Sequence, residues 1–228
     1  MRGAQANAWA RYPVAARTPG YELHFVLSRA DVHHIRKNNL MIAIMKKVKS
    51  NASSDSDVIW VASSAFRKVL VCWREDYAVY ASATDIEAGN AVVLNSLMRA
   101  DTGHSYIFEG GTFSDDGVAS GDAFHVVNQS SIHHRLTLGL AQGATVNGND
   151  VLSPTVAAAA PRNVSLRFKP SVSVAIFLQR RPAHAVIHSG AIIASRTGKP
   201  LTVTPGEGDP IKTIGFDRAE NSFFVKNP

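Results

Sequence analysis

The stretch that decides the fold is Asp57–Ser82, DVIWVASSAFRKVLVCWREDYAVYAS, which holds two of the three tryptophans and the only cysteine. Three runs within it, Val58–Ala62, Val69–Trp73 and Tyr77–Ala81, are rich in β-branched and aromatic residues. Such residues favour a pleated, half-buried backbone. The runs therefore predict consecutive strands at the centre of a β-sheet core, with the two tryptophans as core anchors.

One helix is predicted upstream of this stretch. Ser28 is a good helix N-cap, and Asp31 stands three residues later in a variant of the capping box. The helix should run over Arg29–Lys37 and end at Asn38–Asn39, because asparagine tolerates the left-handed conformation. The next segment, Leu40–Val48, is interpreted as a buried strand, and a continuation of the helix is the alternative.

Alternating or continuous apolar runs predict most of the remaining chain as strands joined by short turns. Asn147–Gly148 is the strongest hairpin signal. Loops are expected over Ser153–Pro161, over Pro205–Pro210 and through most of the acidic segment Asp101–Asp122. The other predicted strands are Gly20–Leu27, Ala91–Met98, Ser105–Glu109, Ala123–Asn128, Leu136–Leu140, Ala144–Val146, Asp150–Leu152, Asn163–Lys169, Val172–Gln179, Ala185–Ala194, Leu201–Thr204 and Ser222–Val225.

These elements predict a mostly β protein: an antiparallel β-sandwich, or a partly closed barrel, of about 10–12 strands with one short N-terminal helix. Residues 1–20 are predicted to be a flexible basic tail and residues 21–228 a single β-sandwich domain. The helix–strand–loop–strand layout of residues 28–62 resembles that of compact β-sandwich binding proteins, the actinoporin and fungal fruit-body lectin group. The resemblance is one of layout and implies no particular site residue.

Composition excludes several classes of protein. The 228 residues are 45% hydrophobic and 18% charged, which is typical of a globular chain. No apolar run reaches the roughly 18 residues of a membrane span. The N-terminus lacks the continuous apolar core of a secretory signal, which favours a cytoplasmic protein. One cysteine, Cys72, allows no internal disulfide and is interpreted as a small buried hydrophobic residue.

Charge is divided into blocks along this basic chain, whose net charge is +6. Residues 1–50 carry +7, residues 51–122 carry −7, residues 123–206 carry +7 and residues 207–228 carry −1. Such blocks predict an acidic rim and a basic face. They indicate attraction to an anionic surface or self-association into a homo-oligomer. Arg167, Lys169, Arg180 and Arg181 are candidates for a basic patch, but binding of nucleic acid would rest on charge alone.

No catalytic motif is present, and no cofactor is predicted. The nine histidines allow a zinc site assembled from different strands, for instance from His104, His125 and His133, but solvated or hydrogen-bonded histidines are the preferred interpretation. The acidic loops contain Asp115-Asp116-Gly117 and Asp122, which could contribute to a calcium site, but a solvated acidic rim is the preferred interpretation.

The first functional hypothesis is a non-enzymatic, lectin-like protein that binds a glycan or an anionic surface ligand. The loops Tyr77–Gly89, Ser105–Asp116 and Asn128–Arg135 would supply aromatic stacking and polar contacts. The alternatives are an enzyme with a histidine, carboxylate or metal site in a barrel mouth, and a membrane-acting or self-assembling β-sandwich. The candidate ligand-binding residues are Tyr77, Tyr80, Tyr106, Asp116, Asn128 and His134.

Overall fold

The computed structural model describes residues 20–53, 55–133, 135–181, 189–193 and 196–226. Within these residues the chain forms sixteen strands in two sheets and one helix. The predicted β-sandwich with one short N-terminal helix is confirmed. The predicted tail, residues 1–20, lies outside the described residues except for Gly20.

Along the described chain, one helix occurs among the strands. The helix is α1 (Arg29–Lys37). The strands are β1 (Tyr21–Val26), β2 (Leu40–Ser50), β3 (Asp55–Asp57), β4 (Val61–Ser63), β5 (Lys68–Ser82), β6 (Ser96–Ala100), β7 (His104–Glu109), β8 (Thr112–Val118), β9 (Phe124–Asn128), β10 (Arg135–Val146), β11 (Asn149–Pro154), β12 (Val156–Pro161), β13 (Ser165–Arg180), β14 (Thr197–Val203), β15 (Ile211–Asp217) and β16 (Ser222–Val225).

Two sheets form the sandwich. Sheet A has nine strands in the order β16-β15-β1-β5-β10-β12-β3, with β11 paired to β10 and β6 paired to β5. Sheet B has seven strands in the order β4-β2-β13-β9-β7-β8, with β14 paired to β13. Most pairs are antiparallel, as predicted, but β1 pairs with β15 and β7 pairs with β9 in parallel. A parallel pair needs a crossover connection, and both connections here are long.

The core lies between the two sheets. One cluster joins Leu23 and Val71 of sheet A to Ile44 and Ile176 of sheet B, with Ile35 of α1 packed against them. A second cluster fills the other half of the interface with aromatic and aliphatic side chains from both sheets. Since every strand side chain points to one face or the other, the residues between these core positions point outward.

The helix begins and ends where the sequence predicts. Ser28 Oγ accepts a hydrogen bond from the Asp31 amide at 3.1 Å, and Asp31 Oδ2 accepts one from the Ser28 amide at 2.8 Å. This reciprocal pair satisfies two amides that the first helical turn would leave unpaired. Asn39, just beyond the helix, has φ 54°, and β2 then begins at Leu40, so the strand interpretation of Leu40–Val48 is confirmed.

Replacing Ser28 with alanine should lower the free energy of unfolding by about 1 kcal/mol, because the Asp31 amide would lose its acceptor. Urea unfolding followed by circular dichroism measures this loss. Ser120→Ala, at an exposed position, is the control and should change stability by less than about 0.5 kcal/mol. Equal stability of the two variants would show that the capping box does not hold the helix.

Several predicted strands merge into longer ones. Val69–Trp73 and Tyr77–Ala81 belong to the fifteen-residue β5, which continues through Arg74, Glu75 and Asp76 while its register with β10 shifts there. Leu136–Leu140 and Ala144–Val146 form β10 with a bulge between Gln142 and Ala144. The Asn147–Gly148 turn has φ 50° and 81°, as the hairpin prediction requires.

Other boundaries were wrong. The expected loop Ser153–Pro161 contains β12, an alanine-rich strand that pairs with β10 and β3. The acidic segment contains β8 as well as β7, and the segment after Pro205–Pro210 contains β15. The strands expected at Val58–Ala62 and Ala91–Met98 occur later, as β4 and β6. Most of the strand predicted over Ala185–Ala194 lies outside the described residues.

The described helix is short: α1 has nine residues. Among the described residues, no helix is long and apolar enough to cross a membrane.

Candidate functional site

Three of the six predicted ligand-binding residues are tyrosines whose rings lie in the core. Tyr77, Tyr80 and Tyr106 are 4%, 0% and 1% exposed. Their hydroxyls have internal partners: Tyr77 donates to Glu75 Oε2 at 2.5 Å, and Tyr80 donates to the Val156 carbonyl at 2.7 Å. The Tyr106 hydroxyl accepts from the Asp101 amide at 2.7 Å. Burial is the main reason that the pKa of each tyrosine is raised.

These contacts assign the three tyrosines to packing. Tyr77 and Tyr80 even belong to different hydrophobic clusters, on opposite faces of β5. In this structure no sugar face in solvent can stack on rings that are covered in this way. The three tyrosines therefore do not belong to the candidate site.

The other three predicted residues are not brought together within the described part of the chain. Asn128 is fully buried, where its amide donates to the carbonyls of Ala160 and His133 at 2.9 and 3.3 Å. Asp116 is exposed on β8, at the edge of sheet B. His134 lies outside the described residues. The six residues thus form no common surface within the described part of the chain.

Metal ligands do not gather in the described residues. No group of three or more histidine, cysteine, aspartate or glutamate side chains there is placed to hold a metal ion. His104 Nδ1 lies 3.0 Å from Asp115 Oδ2. The Gly117 amide, first, and then His104 lower the pKa of Asp115 by hydrogen bonding. This arrangement stabilises the β7–β8 hairpin as an acidic, solvent-facing edge.

A polar cluster is buried where β2 faces β5. The Lys46 side chain is 0% exposed, and its Nζ lies 2.7 Å from Glu75 Oε1. The indole rings of Trp60 and Trp73 flank the ammonium at 5.7 and 5.6 Å. Trp73 Nε1 and the Tyr77 hydroxyl also donate to the Glu75 carboxylate. Burial lowers the pKa of Lys46, and the Glu75 charge opposes that shift.

This cluster joins the two sheets, because Lys46 belongs to sheet B and Glu75 to sheet A. Glu75 uses its two oxygens for three partners, and Lys46 is enclosed. General acid–base chemistry needs a group that a substrate can reach. The Lys46–Glu75 pair is instead placed as a polar tie inside the core.

The single thiol lies on the outer side of β5. Burial, first, and then the Glu22 carboxylate raise the pKa of Cys72. A raised pKa keeps the thiol protonated near neutral pH and weakens it as a nucleophile.

Basic side chains collect on the outer side of sheet B. Lys46 and Val48 of β2 point into the sandwich, so Lys47 and Lys49 point out and are exposed. In β13 the core residues Leu166 and Phe168 likewise alternate with exposed basic residues. We call this surface the basic face, and it consists of Lys47, Lys49, Arg167 and Lys169.

Strand register brings the four cations together. β2 and β13 are antiparallel neighbours, and Lys49 lies directly opposite Lys169. Neighbouring strands are about 4.8 Å apart, and residues two apart along a strand are about 6.6 Å apart. The Arg167 backbone is fixed by Asn51, whose Oδ1 accepts from the Arg167 amide at 2.7 Å. The cations therefore form a compact, nearly flat group on a rigid support.

Like charges that lie directly opposite across a strand pair are destabilising. Asp122 offsets part of this repulsion, since its Oδ2 lies 2.7 Å from Lys169 Nζ. The hydrogen bond from Lys169 is the main cause of the lowered pKa of Asp122. Four cations against this one carboxylate leave the basic face positive.

A histidine extends the basic face across the sheet. His125 of β9 lies opposite Arg167. Its Nε2 is enclosed and has no hydrogen-bond partner among the described residues.

The sequence contained half of this site. Arg167 and Lys169 were candidates for a basic patch, whereas Lys47 and Lys49 were not. Both pairs have two-residue spacing, in Lys47-Val48-Lys49 and Arg167-Phe168-Lys169. That spacing places each pair on one face of a strand. The pairing of β2 with β13, 116 or more residues apart in sequence, is information that spacing alone does not carry.

Comparison of the chain with protein-family models, with curated proteins and with solved structures finds no match.

Proposed function

We propose that this protein is a non-enzymatic, lectin-like binding protein whose basic face holds an anionic glycan. The observation that carries the proposal is the cross-strand pair Lys49–Lys169, two exposed lysines whose Cα atoms lie directly opposite each other. An anionic group bound between them would accept charge-assisted hydrogen bonds from both lysines, in place of the Asp122 carboxylate that Lys169 holds in the free protein.

The layout of the cations favours an extended polyanion over a compact one. Two of the four cations lie on β2 and two on β13, and the members of each pair are two residues apart. Their backbone positions therefore extend over several ångströms both along and across the strands. Sulfate or carboxylate groups spaced along a linear glycan can contact several of these side chains at once. Several weak contacts on one chain add up through effective concentration.

Nucleic acid is the competing polyanion. Proteins that bind single-stranded nucleic acid combine cations with exposed aromatic rings on which bases stack. In β2, β9 and β13 the described aromatic residues, Phe124, Phe168 and Phe177, are at most 1% exposed. The basic face thus offers charge without a stacking platform, which favours a glycan.

Replacing Lys47 and Lys49 together with glutamine should weaken binding of a heparin oligosaccharide by at least tenfold. Each lost contact between an ammonium and a sulfate removes about 1 kcal/mol. Isothermal titration at low salt measures the affinity. The variant should stay folded, since Lys49→Gln also removes the like-charge pair with Lys169.

The matched control is Arg67→Gln with Lys68→Gln, which removes the same charge from exposed positions next to and in β5. This control should bind heparin as the unaltered protein does. Equal weakening in both variants would mean that net charge, not the basic face, governs binding. Binding of single-stranded DNA more tightly than heparin would also contradict the proposal.

The acidic β7–β8 hairpin is a possible rival occupant of the basic face in a second copy of the chain. Asp115 and Asp116 are exposed there. Sedimentation velocity over the same salt series separates the two occupants. Dissociation of an oligomer by heparin would show that self-association and glycan binding use one surface.

A further inference from the structure

A second surface lies on sheet A, at the end of the sandwich that is away from the basic face. Its core is apolar: Val26 ends β1, Phe66 precedes β5, and Phe224 lies in β16, and these side chains are 40%, 47% and 42% exposed. We call these three residues the apolar end. Large apolar side chains that gather on a protein surface mark interaction sites.

The three side chains are held in place by the fold. Phe224 lies opposite Gly215, and a Cβ at Gly215 would come within 2.5 Å of the Phe224 ring. The Phe66 ring lies 4.8 Å below the Arg36 guanidinium, whose Nε donates to the Ala65 carbonyl at 2.9 Å. The rings therefore occupy defined positions in spite of their exposure.

Cations surround the apolar end. A shallow pocket of about 440 Å³ is lined by Val26 and Leu27 together with Arg67 and Lys68. Lys226 Nζ donates to the Val26 carbonyl at 3.2 Å, which places another ammonium beside the same strand end. The pocket thus combines an apolar floor with two positive side chains.

Carboxylates near this end are already bound within the protein. Asp31 holds the Ser28 amide and lies 3.2 Å from the Arg218 guanidinium. Asp217 accepts from the amides of Ala219 and Glu220. The cations around the pocket are therefore not the partners of these acids.

We propose that the apolar end docks on the surface of an anionic lipid bilayer. Phenylalanine and aliphatic side chains enter the boundary between headgroups and acyl chains, while lysine and arginine beside them contact lipid phosphates. Both parts of that pattern are present at the apolar end, where Phe66 and Val26 adjoin Arg67 and Lys68. An acidic protein partner would use the same cations but would not require two exposed rings.

The apolar end is separate from the basic face. Lys49 lies nine residues along β2 from Leu40, about 30 Å along that strand, and β2 belongs to sheet B, whereas Val26 and Phe224 belong to sheet A. The inference goes beyond glycan binding and does not depend on it. One molecule would then hold a lipid surface at one end and an anionic glycan at the other.

Vesicle co-sedimentation tests the inference with phosphatidylcholine alone and with phosphatidylcholine mixed with phosphatidylserine. The unaltered protein should bind the mixed vesicles but not the vesicles of phosphatidylcholine alone. Arg67→Gln with Lys68→Gln should weaken binding roughly 30-fold, since the protein loses two cations that contact the anionic surface. Phe66→Ser should weaken it about tenfold, because a phenylalanine ring no longer leaves water.

Two controls separate the surfaces. Ile132→Ser removes an exposed apolar side chain elsewhere and should leave vesicle binding unchanged. Lys47→Gln with Lys49→Gln should reduce heparin binding but not vesicle binding. Failure to bind the mixed vesicles, or weakening by the Lys47 and Lys49 changes without weakening by Phe66→Ser, would overturn the inference. Neither result would bear on heparin binding by the basic face.

Discussion

Replacing Glu75 with glutamine should lower the free energy of unfolding by about 3–5 kcal/mol. Glutamine keeps the size of the side chain but removes the charge opposite Lys46, whose side chain is fully enclosed. A buried charge that loses its partner is strongly destabilising, because the cost of removing it from water is no longer offset. The indole rings at 5.7 and 5.6 Å attract the ammonium but carry no net charge.

A second variant separates charge from shape. Lys46→Met combined with Glu75→Gln removes both charges and should recover most of the lost stability, since a buried pair is often replaceable by neutral groups of similar size. Lys46→Met alone should cost less than Glu75→Gln, because the Glu75 side chain is 18% exposed and keeps two donors. The double-mutant cycle gives the coupling energy directly.

Urea unfolding measures these free energies. Glu87→Gln, at an exposed carboxylate, is the control and should change stability by less than about 0.5 kcal/mol. A loss below about 1 kcal/mol for Glu75→Gln would show that the Lys46–Glu75 pair is not a tie between the sheets.

Gly139→Ala should be nearly as damaging, with a loss of about 3 kcal/mol or more. Gly139 lies in β10 next to Tyr80 of β5. An added methyl group would overlap the Val156 carbonyl oxygen and come within 2.8 and 2.9 Å of the Tyr80 ring and hydroxyl. The backbone of β12 or the buried ring would have to move, and the hydrogen bond from Tyr80 to Val156 would break.

Thermal unfolding and near-ultraviolet circular dichroism follow this change. Gly206→Ala is the matched control, because a methyl group there meets nothing within 4 Å and the residue has no positive φ. The control should unfold like the unaltered protein. Equal melting temperatures for Gly139→Ala and Gly206→Ala would mean that the contact between β10, β5 and β12 is looser than the structure shows.

Local signals in the sequence predicted the parts of the fold that local interactions control. The α1 boundaries follow from the Ser28 cap, and the β10–β11 hairpin follows from the positive φ that Asn147 and Gly148 tolerate. β12 was not predicted, because four successive alanines have little intrinsic preference for a strand. That strand forms through its neighbours: Ala158 pairs with both β10 and β3.

In the candidate site, too, local sequence signals predict some features, while others depend on residues that are distant in sequence. The sequence places Arg167 and Lys169 on one face of a strand, but only the register of β2 with β13 brings Lys49 opposite Lys169. The tyrosines illustrate the converse problem. Tyrosine is amphipathic, so a strand pattern does not show whether its ring is packed or presented. In Tyr80 the decisive fact is the Val156 carbonyl, 76 residues away in sequence.

The salt dependence of heparin binding tests the central claim, that the basic face holds an anionic glycan, most directly. Each cation that contacts the polyanion adds about one to the slope of log affinity against log salt concentration. Replacing Lys49 and Lys169 together with glutamine should lower that slope by about two, and Arg67→Gln with Lys68→Gln should leave it unchanged. An unchanged slope for the Lys49 and Lys169 variant would contradict the account.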